Sequence, residues 1–326
     1  MLFNDRVYGK IEITEPIILE LLNSPTLLRL KDIDQGGYTK PFVTDVIYRF
    51  DHSIGVYWLL KKYQTPLAEQ VAGLIHDVSH SAFSHSIDYI LKGGDGGKQN
   101  HQDNVFENFV RKSEIPTILK KYNLDIDYIL SDHNFPLKER QLPDLCADRI
   151  DYSLRTALMI SKVTLEEVNY FLDNLIIQDS QWVFKTLEAV EKYAQLFLWL
   201  NNNYWISVTA AAMHLAVGDC ISYALEKNYI TNVDLYTTDS QIIEKIKPFI
   251  TTDDKLDFFW KRMNNKSYFS DNPSDYYQEV SLKSRVVDPL FLDQGKIKRL
   301  SEVKNEWLKI ITEGLKPKSC FIKFED

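Results

Sequence analysis

A dense cluster of histidine and aspartate is the feature of this chain most suited to chemistry. The stretch His76–His85 (HDVSHSAFSH) holds three of the seven histidines in 326 residues. The adjacent pair His76-Asp77 offers a nitrogen ligand beside an oxygen ligand, a mixture that suits a divalent cation such as Mn²⁺, Fe²⁺, Mg²⁺ or Zn²⁺. Burying such a cluster is costly unless something binds there. The alternative is a polar helix end with ordinary surface histidines, and the density of the cluster favours the metal site.

The residues before this pair predict the helix that positions it. Apolar residues recur at helical spacing over residues 66–75, so the pair His76-Asp77 is expected near the C-terminal end of a buried helix. His80 lies about one turn further along and falls on roughly the same face if the helix continues.

A second predicted helix carries another histidine. Asp51 or Ser53 can cap a helix that runs to about Tyr63. His52 would then lie near the N-terminus of that helix and face a partner.

A row of carboxylates lies further along the chain. The segment Leu142–Arg155 predicts the start of a long helix, on which Asp144, Asp148 and Asp151 fall on one side at spacings of three or four. Such a row repels itself unless cations intervene. A solvated face is the usual explanation, but apolar residues flank this row, so it could instead face an interior cleft.

The remaining patterns predict a mainly α-helical fold with a small α+β C-terminal region. Residues 1–14 alternate as in a strand or hairpin, and residues 165–228 resemble long buried helices. Probable strands over 279–282, 285–287 and 320–324 surround a helix over 301–314. We expect a core over residues 1–230 and a C-terminal region over residues 231–326 packed on it. The glycine-rich run 93–97 predicts a loop that is either a lid or a plain connector.

Composition limits the classes of function. A net charge of −8 argues against a general nucleic-acid binder, although a local basic pocket for a small phosphate ligand is compatible with it. The three cysteines are far apart and are expected to be reduced thiols in a cytoplasmic protein. No signal peptide is visible, and the most apolar window, 196–217, is interrupted by three asparagines, so no membrane segment is expected.

The order of these residues also resembles a known family. His52, the pair His76-Asp77 and Asp148 match the H…HD…D pattern of the HD-domain metal-dependent phosphohydrolases. The flanking sequences resemble the deoxynucleoside triphosphate triphosphohydrolase (dNTPase) branch of that superfamily. The resemblance covers roughly residues 1–160, and the stretches that carry it are 5–11, 28–37, 49–56, 76–85 and 147–152.

The resemblance implies a role for each matching position. One divalent metal ion (Mn, Mg, Fe, Ni or Zn) is expected to be bound by four residues: His52, His76, Asp77 and Asp148. Three residues are expected to act in catalysis around the metal: His80, Asp88 and His101. In the family a histidine at such a position is held by a carboxylate and acts on the water or the leaving group. The expected substrate-binding residues are Arg49 and Arg149 for phosphate, Tyr152 for the sugar, and Gln35 at a position used for sugar and base recognition. The resemblance also implies that the protein forms a homo-oligomer.

Three departures from the family pattern bear on the substrate. Ser79 replaces a glycine of the family motif, and Asp34-Gln35 replaces Gln-Leu before the paired glycines. In addition, residues 205–212 (WISVTAAA) contain none of the His, Lys and Arg with which the family binds a triphosphate. A triphosphate carries about four negative charges, which a dry pocket cannot hold without compensating cations.

Three hypotheses follow. The first is a metal-dependent phosphohydrolase on nucleotides that converts a dNTP to a deoxynucleoside and triphosphate. The second keeps the reaction type but acts on a nucleoside monophosphate or other small phosphoester. The third is a nucleotide-sensing module that keeps the metal without turnover.

Overall fold

Helices make up most of this computed structural model, which describes residues 1–90, 97, 99 and 101–325. The α-helices are α1 (Pro16–Leu22), α2 (Pro25–Arg29), α3 (Arg49–Lys62), α4 (Leu67–Ile75), α5 (His101–Lys112), α6 (Ile115–Lys121), α7 (Ile126–Leu130), α8 (Ala147–Met159), α9 (Leu165–Asp173), α10 (Leu187–Leu200), α11 (Val208–Glu226), α12 (Asp239–Ile250), α13 (Asp254–Met263), α14 (Leu300–Val303) and α15 (Asn305–Gly314). The predicted mainly α-helical fold is confirmed.

Three small sheets accompany the helices. Their strands are β1 (Leu2–Asp5), β2 (Gly9–Glu12), β3 (Leu175–Gln178), β4 (Gln181–Phe184), β5 (Tyr268–Asp271), β6 (Gln278–Leu282), β7 (Leu290–Asp293), β8 (Lys296–Arg299) and β9 (Lys318–Glu325). The strand orders are β1-β2, β3-β4-β7-β8 and β5-β9-β6, and β4 pairs with β7 in parallel while the other pairs are antiparallel. The division at residue 230 stays a prediction, and the sheet β3-β4-β7-β8 joins strands from both sides of it.

Helix α3 is the central element because neighbours cover it on several sides. It packs against both α4 and α8. Gly73 on α4 leaves room for the side chain of Leu60, and Gly55 on α3 leaves room for the carboxylate of Asp151 on α8. These close approaches bring the first turn of α3, the end of α4 and the first turn of α8 together.

Two apolar cores support this arrangement. One forms around α3, α8 and α10, and it includes side chains from the C-terminal region such as Val286, Phe291 and Trp307. The other joins the first hairpin and α1 to α3 and α4 through residues such as Ile13, Ile54 and Ile75. Burial of each such side chain contributes roughly 1.5–3 kcal/mol to the free energy of folding. This packing holds in place the helix ends that carry the polar cluster.

The helices that carry His52 and Asp148 begin at positions other than those predicted. Helix α3 begins at Arg49, whose N–H donates to the carbonyl of Ile33, so neither Asp51 nor Ser53 caps it. Helix α8 begins at Ala147 after an extended Cys146, so the predicted helix start at residue 142 is wrong. Asp144 therefore precedes the helix, where it forms an ion pair with Arg299 at 2.6 Å instead of extending the acidic row.

Three other expectations differ from the structure. The predicted helical stretch 165–228 contains the hairpin β3–β4, whose Asp179-Ser180 turn has positive φ at both residues, as tight hairpins require. Residues 285–287 are not a strand, and the predicted helix over 301–314 is divided at Lys304, whose backbone is extended. The predicted glycine-rich loop lies, apart from Gly97, outside the described residues.

Among the described residues, helix α11 has the length and the composition of a membrane span. In α11, 61% of the most apolar window is buried inside the protein. Buried core helices pass the same test.

A side chain at Gly55 would disturb the packing of α3 on α8. A Cβ atom there would collide with Asp151 Oδ1 and Arg155 Nη2. We expect Gly55→Ala to lower the free energy of unfolding by about 1–3 kcal/mol, as overpacking does. Urea denaturation of the metal-free protein measures this change.

The matched control is Gly218→Ala in α11, where the nearest atom to a new Cβ is Ile90 Cγ2 at 3.3 Å. This change should be close to neutral, since Ala favours the helix and the contact needs only a small adjustment. Equal stability of the two variants would contradict the packing argument.

Candidate metal centre and its cavity

Three ligand atoms from three helices converge on one point. His52 Nε2 lies 3.2 Å from His76 Nε2 and 3.0 Å from Asp148 Oδ1. His76 Nε2 lies 3.5 Å from the same carboxylate oxygen. All three atoms fall within 4.8 Å of one another, and two imidazole nitrogens with one carboxylate oxygen suit a borderline divalent cation.

Asp77 lies at the edge of this cluster. Its Oδ1 is 3.4 Å from His76 Nε2, and its Oδ2 is 3.7 Å from His52 Nε2. Arg49 Nη1 lies 2.5 Å from Oδ2, so this buried ion pair sets the orientation of the carboxylate. Oδ1 is therefore the oxygen that Asp77 can offer to a metal ion held by the other three residues.

Each histidine is oriented through its second ring nitrogen. His52 Nδ1 donates to Asp151 Oδ2 at 2.7 Å, and His76 Nδ1 donates to the carbonyl oxygen of Gly73 at 2.7 Å. These bonds select the tautomers that present Nε2 to the shared point. A carboxylate or carbonyl behind a histidine is the usual arrangement for metal-bound imidazoles.

Asp151 is in turn held by a buried ion-pair network. Arg155 donates to both of its oxygens at 2.9 Å, and Arg155 Nη1 lies 3.0 Å from the buried Asp5 carboxylate. The sequence analysis placed Asp151 in a row of carboxylates and missed this orienting role. Its position three residues after Asp148 and four before Arg155 is the signal that could have identified it.

The charges of the cluster fit a bound cation. Burial raises the pKa of the Asp148 carboxyl, but hydrogen bonds from His52 and His76 outweigh it and hold that pKa well below its usual range. Burial lowers the pKa of His52, but its bonds to Asp148 and Asp151 raise that pKa to about 9. In the metal-free cluster the protonated His52 imidazole therefore offsets the charge of the carboxylates, and a divalent cation can take the place of that proton.

The cluster opens into a cavity of about 1170 Å³. Its lining includes the expected metal ligands His76, Asp77 and Asp148, while His52 is buried behind them. The four expected substrate-binding residues also line it: Gln35, Arg49, Arg149 and Tyr152. This volume is large enough for a nucleotide-sized ligand.

Both arginines of this set are engaged with protein groups. Arg49 donates to Ser84 Oγ at 2.8 Å and to the carbonyl of Gln35 at 3.2 Å, in addition to its ion pair with Asp77. Arg149 contacts Cys146 Sγ at 2.9 Å and Glu139 Oε1 at 3.1 Å.

Of the three residues expected to act in catalysis, the structure brings His80 into the cavity lining. His80 Nε2 is 3.4 Å from Asp77 Oδ1. Burial and the nearby Arg49 guanidinium lower the pKa of His80 to about 3, so this imidazole is neutral near pH 7.

Asp88 is paired with a histidine that the sequence analysis did not select. Asp88 Oδ2 lies 3.2 Å from Nδ1 of His85, which lines the cavity. The ring of His101 instead bonds to the hydroxyl of Tyr236 at 3.0 Å and is not part of the cavity lining among the described residues. Asp88 contacts His101 through the backbone instead, since Asp88 Oδ1 accepts from the N–H of His101 at 3.0 Å. The spacing of three residues between His85 and Asp88 was the available signal.

Comparisons with known proteins agree with this geometry. The family profile described as "HD domain" matches residues 49–156. The uncharacterized protein YdhJ of Bacillus subtilis is 31% identical over 304 residues, which cover 91% of each chain. The metal-dependent phosphohydrolase cns2 of Cordyceps militaris is 34% identical over 63% of this chain and 58% of its own length. The deoxynucleoside triphosphate triphosphohydrolase SAMHD1 of mouse is 32% identical over 39% of this chain and 23% of its own length.

A solved structure shares the fold. A phosphohydrolase from Bacteroides thetaiotaomicron superposes with a TM-score of 0.76 at 17% identity, over 98% of this chain and 99% of that one. The family match, the near full-length relative and the His/Asp cluster lead to one conclusion. The chain belongs to the HD-domain superfamily of metal-dependent phosphohydrolases, enzymes that hydrolyse phosphoric esters with a divalent metal ion.

Proposed function

We propose that this enzyme hydrolyses nucleotides in the manner of the dNTPase branch, converting a dNTP to a deoxynucleoside and triphosphate. The observation that carries the proposal is the shared cavity, whose lining includes three of the four expected metal ligands, cationic side chains and aromatic rings. We propose His52, His76, Asp77 and Asp148 as the ligands of one divalent metal ion. When bound, such an ion polarises a phosphate oxygen and lowers the pKa of a coordinated water.

Residues beside the metal ligands suit proton transfer. The His85 imidazole is held by the Asp88 carboxylate, and its Nε2 is left to act on a water or a leaving group. We therefore propose His85 as the imidazole that Asp88 orients, in place of His101. The neutral His80 ring has its Nε2 beside the Asp77 carboxylate, so its other ring nitrogen is suited to accepting a hydrogen bond from a water.

Aromatic side chains support a nucleoside rather than a simple phosphoester. Rings in the cavity lining belong to Phe42, Phe106, Tyr152, Tyr204 and Trp205. Tyr152 packs edge-on against Trp205, with ring centroids 5.1 Å apart. Bases and sugars bind well against such surfaces because every base has a π-face.

One observation favours a second candidate, a nucleoside monophosphate. The start of α11 contributes Ser207, Thr209 and Ala210 to the lining where the dNTPase resemblance leads one to expect cations. A single phosphate beside the metal needs less compensating charge than a triphosphate.

We also propose a cytoplasmic location, which the three free, buried cysteines support, and manganese as one suitable metal. The homo-oligomer expected from the family resemblance stays a prediction.

The first test identifies the products of a substrate panel. We expect the manganese-loaded protein to release inorganic triphosphate from at least one dNTP, which ion chromatography detects. Release of inorganic phosphate from a monophosphate would select the second candidate. No turnover of dNTPs, NTPs, monophosphates or cyclic phosphates would contradict both.

The ligand assignment is tested by Asp148→Asn. The neutral amide removes an anionic ligand, so we expect bound metal, measured by plasma mass spectrometry, and turnover to be lost together. The matched control is Asp103→Asn, since Asp103 lines the same cavity outside the ligand cluster and should keep its metal. Full metal content in the Asp148 variant would contradict the assignment.

The orienting role of Asp151 is tested by Asp151→Asn. Loss of such a partner typically weakens metal affinity about 10- to 100-fold, and we expect a change of this size by calorimetric titration. Arg155→Gln breaks the same buried ion pair but keeps the bond between His52 and Asp151. Both variants should be less stable, and only Asp151→Asn should bind metal weakly. Equal metal affinities would show that Asp151 has only a structural role.

A further inference from the structure

The segment that follows β6 brings two cationic side chains into the cavity. Lys283 and Arg285 both line it, although they belong to the C-terminal region. The side chain of Ser284, between them, is buried on the other side, where it bonds to Asn201 Nδ2 at 3.0 Å. Alternation along an extended backbone therefore directs residues 283 and 285 to the same side.

Arg285 is held in a fixed position. Its backbone N–H donates to Asn201 Oδ1 at 2.7 Å. Its guanidinium donates to the carbonyl of Lys283 at 2.9 Å and to Gln99 Oε1 at 2.6 Å. These acceptors are neutral, so they orient the guanidinium without cancelling its charge.

Lys283 and Arg285 differ in their ion pairing from the other cations of the cavity. Arg49, Lys138, Arg140 and Arg149 form ion pairs with Asp77, Asp132, Asp144 and Glu139, respectively. Within the described part of the chain, Lys283 and Arg285 have no carboxylate at ion-pair distance. They are therefore the cations of the cavity lining that are available to pair with an anionic ligand.

Their surroundings favour such a ligand. Burial and the neighbouring Arg285 guanidinium lower the pKa of the Lys283 ammonium, and burial lowers the pKa of Arg285. The Asp103 and Glu139 carboxylates offset part of the Lys283 charge, and Asp148 offsets part of the Arg285 charge. Both cations still lose hydration in this partly dry cavity, and a bound polyanion would replace the contacts with water that they lose.

We propose that Lys283 and Arg285 bind the phosphates of the substrate beyond the phosphate that reacts at the metal. The C-terminal region then supplies the positive charge that the start of α11 lacks. The ligand chemistry is the polyphosphate chain of a nucleoside triphosphate. This assignment rests on the proposed function and deepens it.

The test compares Lys283→Gln with the parent enzyme on a dNTP and on the corresponding dNMP, with inorganic tripolyphosphate as a competing ligand. A hydrogen bond to a charged group is typically equivalent to a roughly 10- to 100-fold change in binding. We expect KM for the dNTP and the inhibition constant of tripolyphosphate to rise by that factor, with a smaller change in kcat. Metal content should be unchanged.

Three further variants complete the experiment. Lys283→Arg keeps the charge and should restore most of the binding. Lys283→Met keeps the aliphatic stem, so it replaces Lys283→Gln if that variant folds poorly. Lys296→Gln is the matched control, since Lys296 is exposed on β8 in the same region and the change removes the same charge.

Unchanged KM and inhibition constants in Lys283→Gln would overturn the inference. An equal loss for dNMP and dNTP would also overturn it, because the lysine would then bind the reacting phosphate. Failure of the proposed function looks different: the parent enzyme would hydrolyse no nucleotide, while calorimetry would still compare tripolyphosphate binding between the parent and the Lys283 variants.

Discussion

The His52 imidazole, held between two carboxylates, is the interaction on which the centre depends. Asp151 fixes one ring nitrogen at 2.7 Å, and Asp148 lies 3.0 Å from the other. Both carboxylates are on α8, three residues apart, so a single helix face orients the histidine and also places the proposed ligand Asp148 beside it. This geometry requires α3 and α8 to approach closely, which the missing side chain of Gly55 permits.

Charge is distributed in layers around this imidazole. The outer layer is the buried network in which the Arg155 guanidinium pairs with both Asp5 and Asp151. The middle layer is the His/Asp cluster, whose donor atoms suit a divalent cation. The cavity beyond it contains cations that form ion pairs with protein carboxylates and two, Lys283 and Arg285, that form none with the described residues. The molecule is acidic overall, with a net charge of −8, yet these two cations line the same cavity as the candidate metal site.

The sequence was sufficient to predict the helical fold and to select the residues of the cluster. The pair His76-Asp77 could be chosen from the density of histidine and aspartate around it, whereas the family resemblance selected His52 and Asp148 as its partners. Their convergence could not be derived from spacing, since it depends on how α3, α4 and α8 cross. The family resemblance provided that expectation.

Other parts of the site could be predicted only in part, for specific physical reasons. The spacings of Asp151 and His85 were signals, but their roles depend on which ring nitrogen of a histidine meets which carboxylate, and that is a tertiary property. Alternation predicted an extended chain over residues 285–287, but it could not show that Lys283 and Arg285 face the cavity. The hairpin β3–β4 was missed because short apolar strands resemble buried helix segments, and its Asp179-Ser180 turn is a weak hairpin signal compared with Asn-Gly.

Anomalous diffraction from crystals of the manganese-loaded enzyme would show whether His52, His76 and Asp148 bind one metal ion. We expect one anomalous peak within about 2.0–2.3 Å of His52 Nε2, His76 Nε2 and an oxygen of Asp148, the range usual for nitrogen and oxygen ligands. A peak elsewhere in the molecule, with these three side chains bound only to one another, would contradict it.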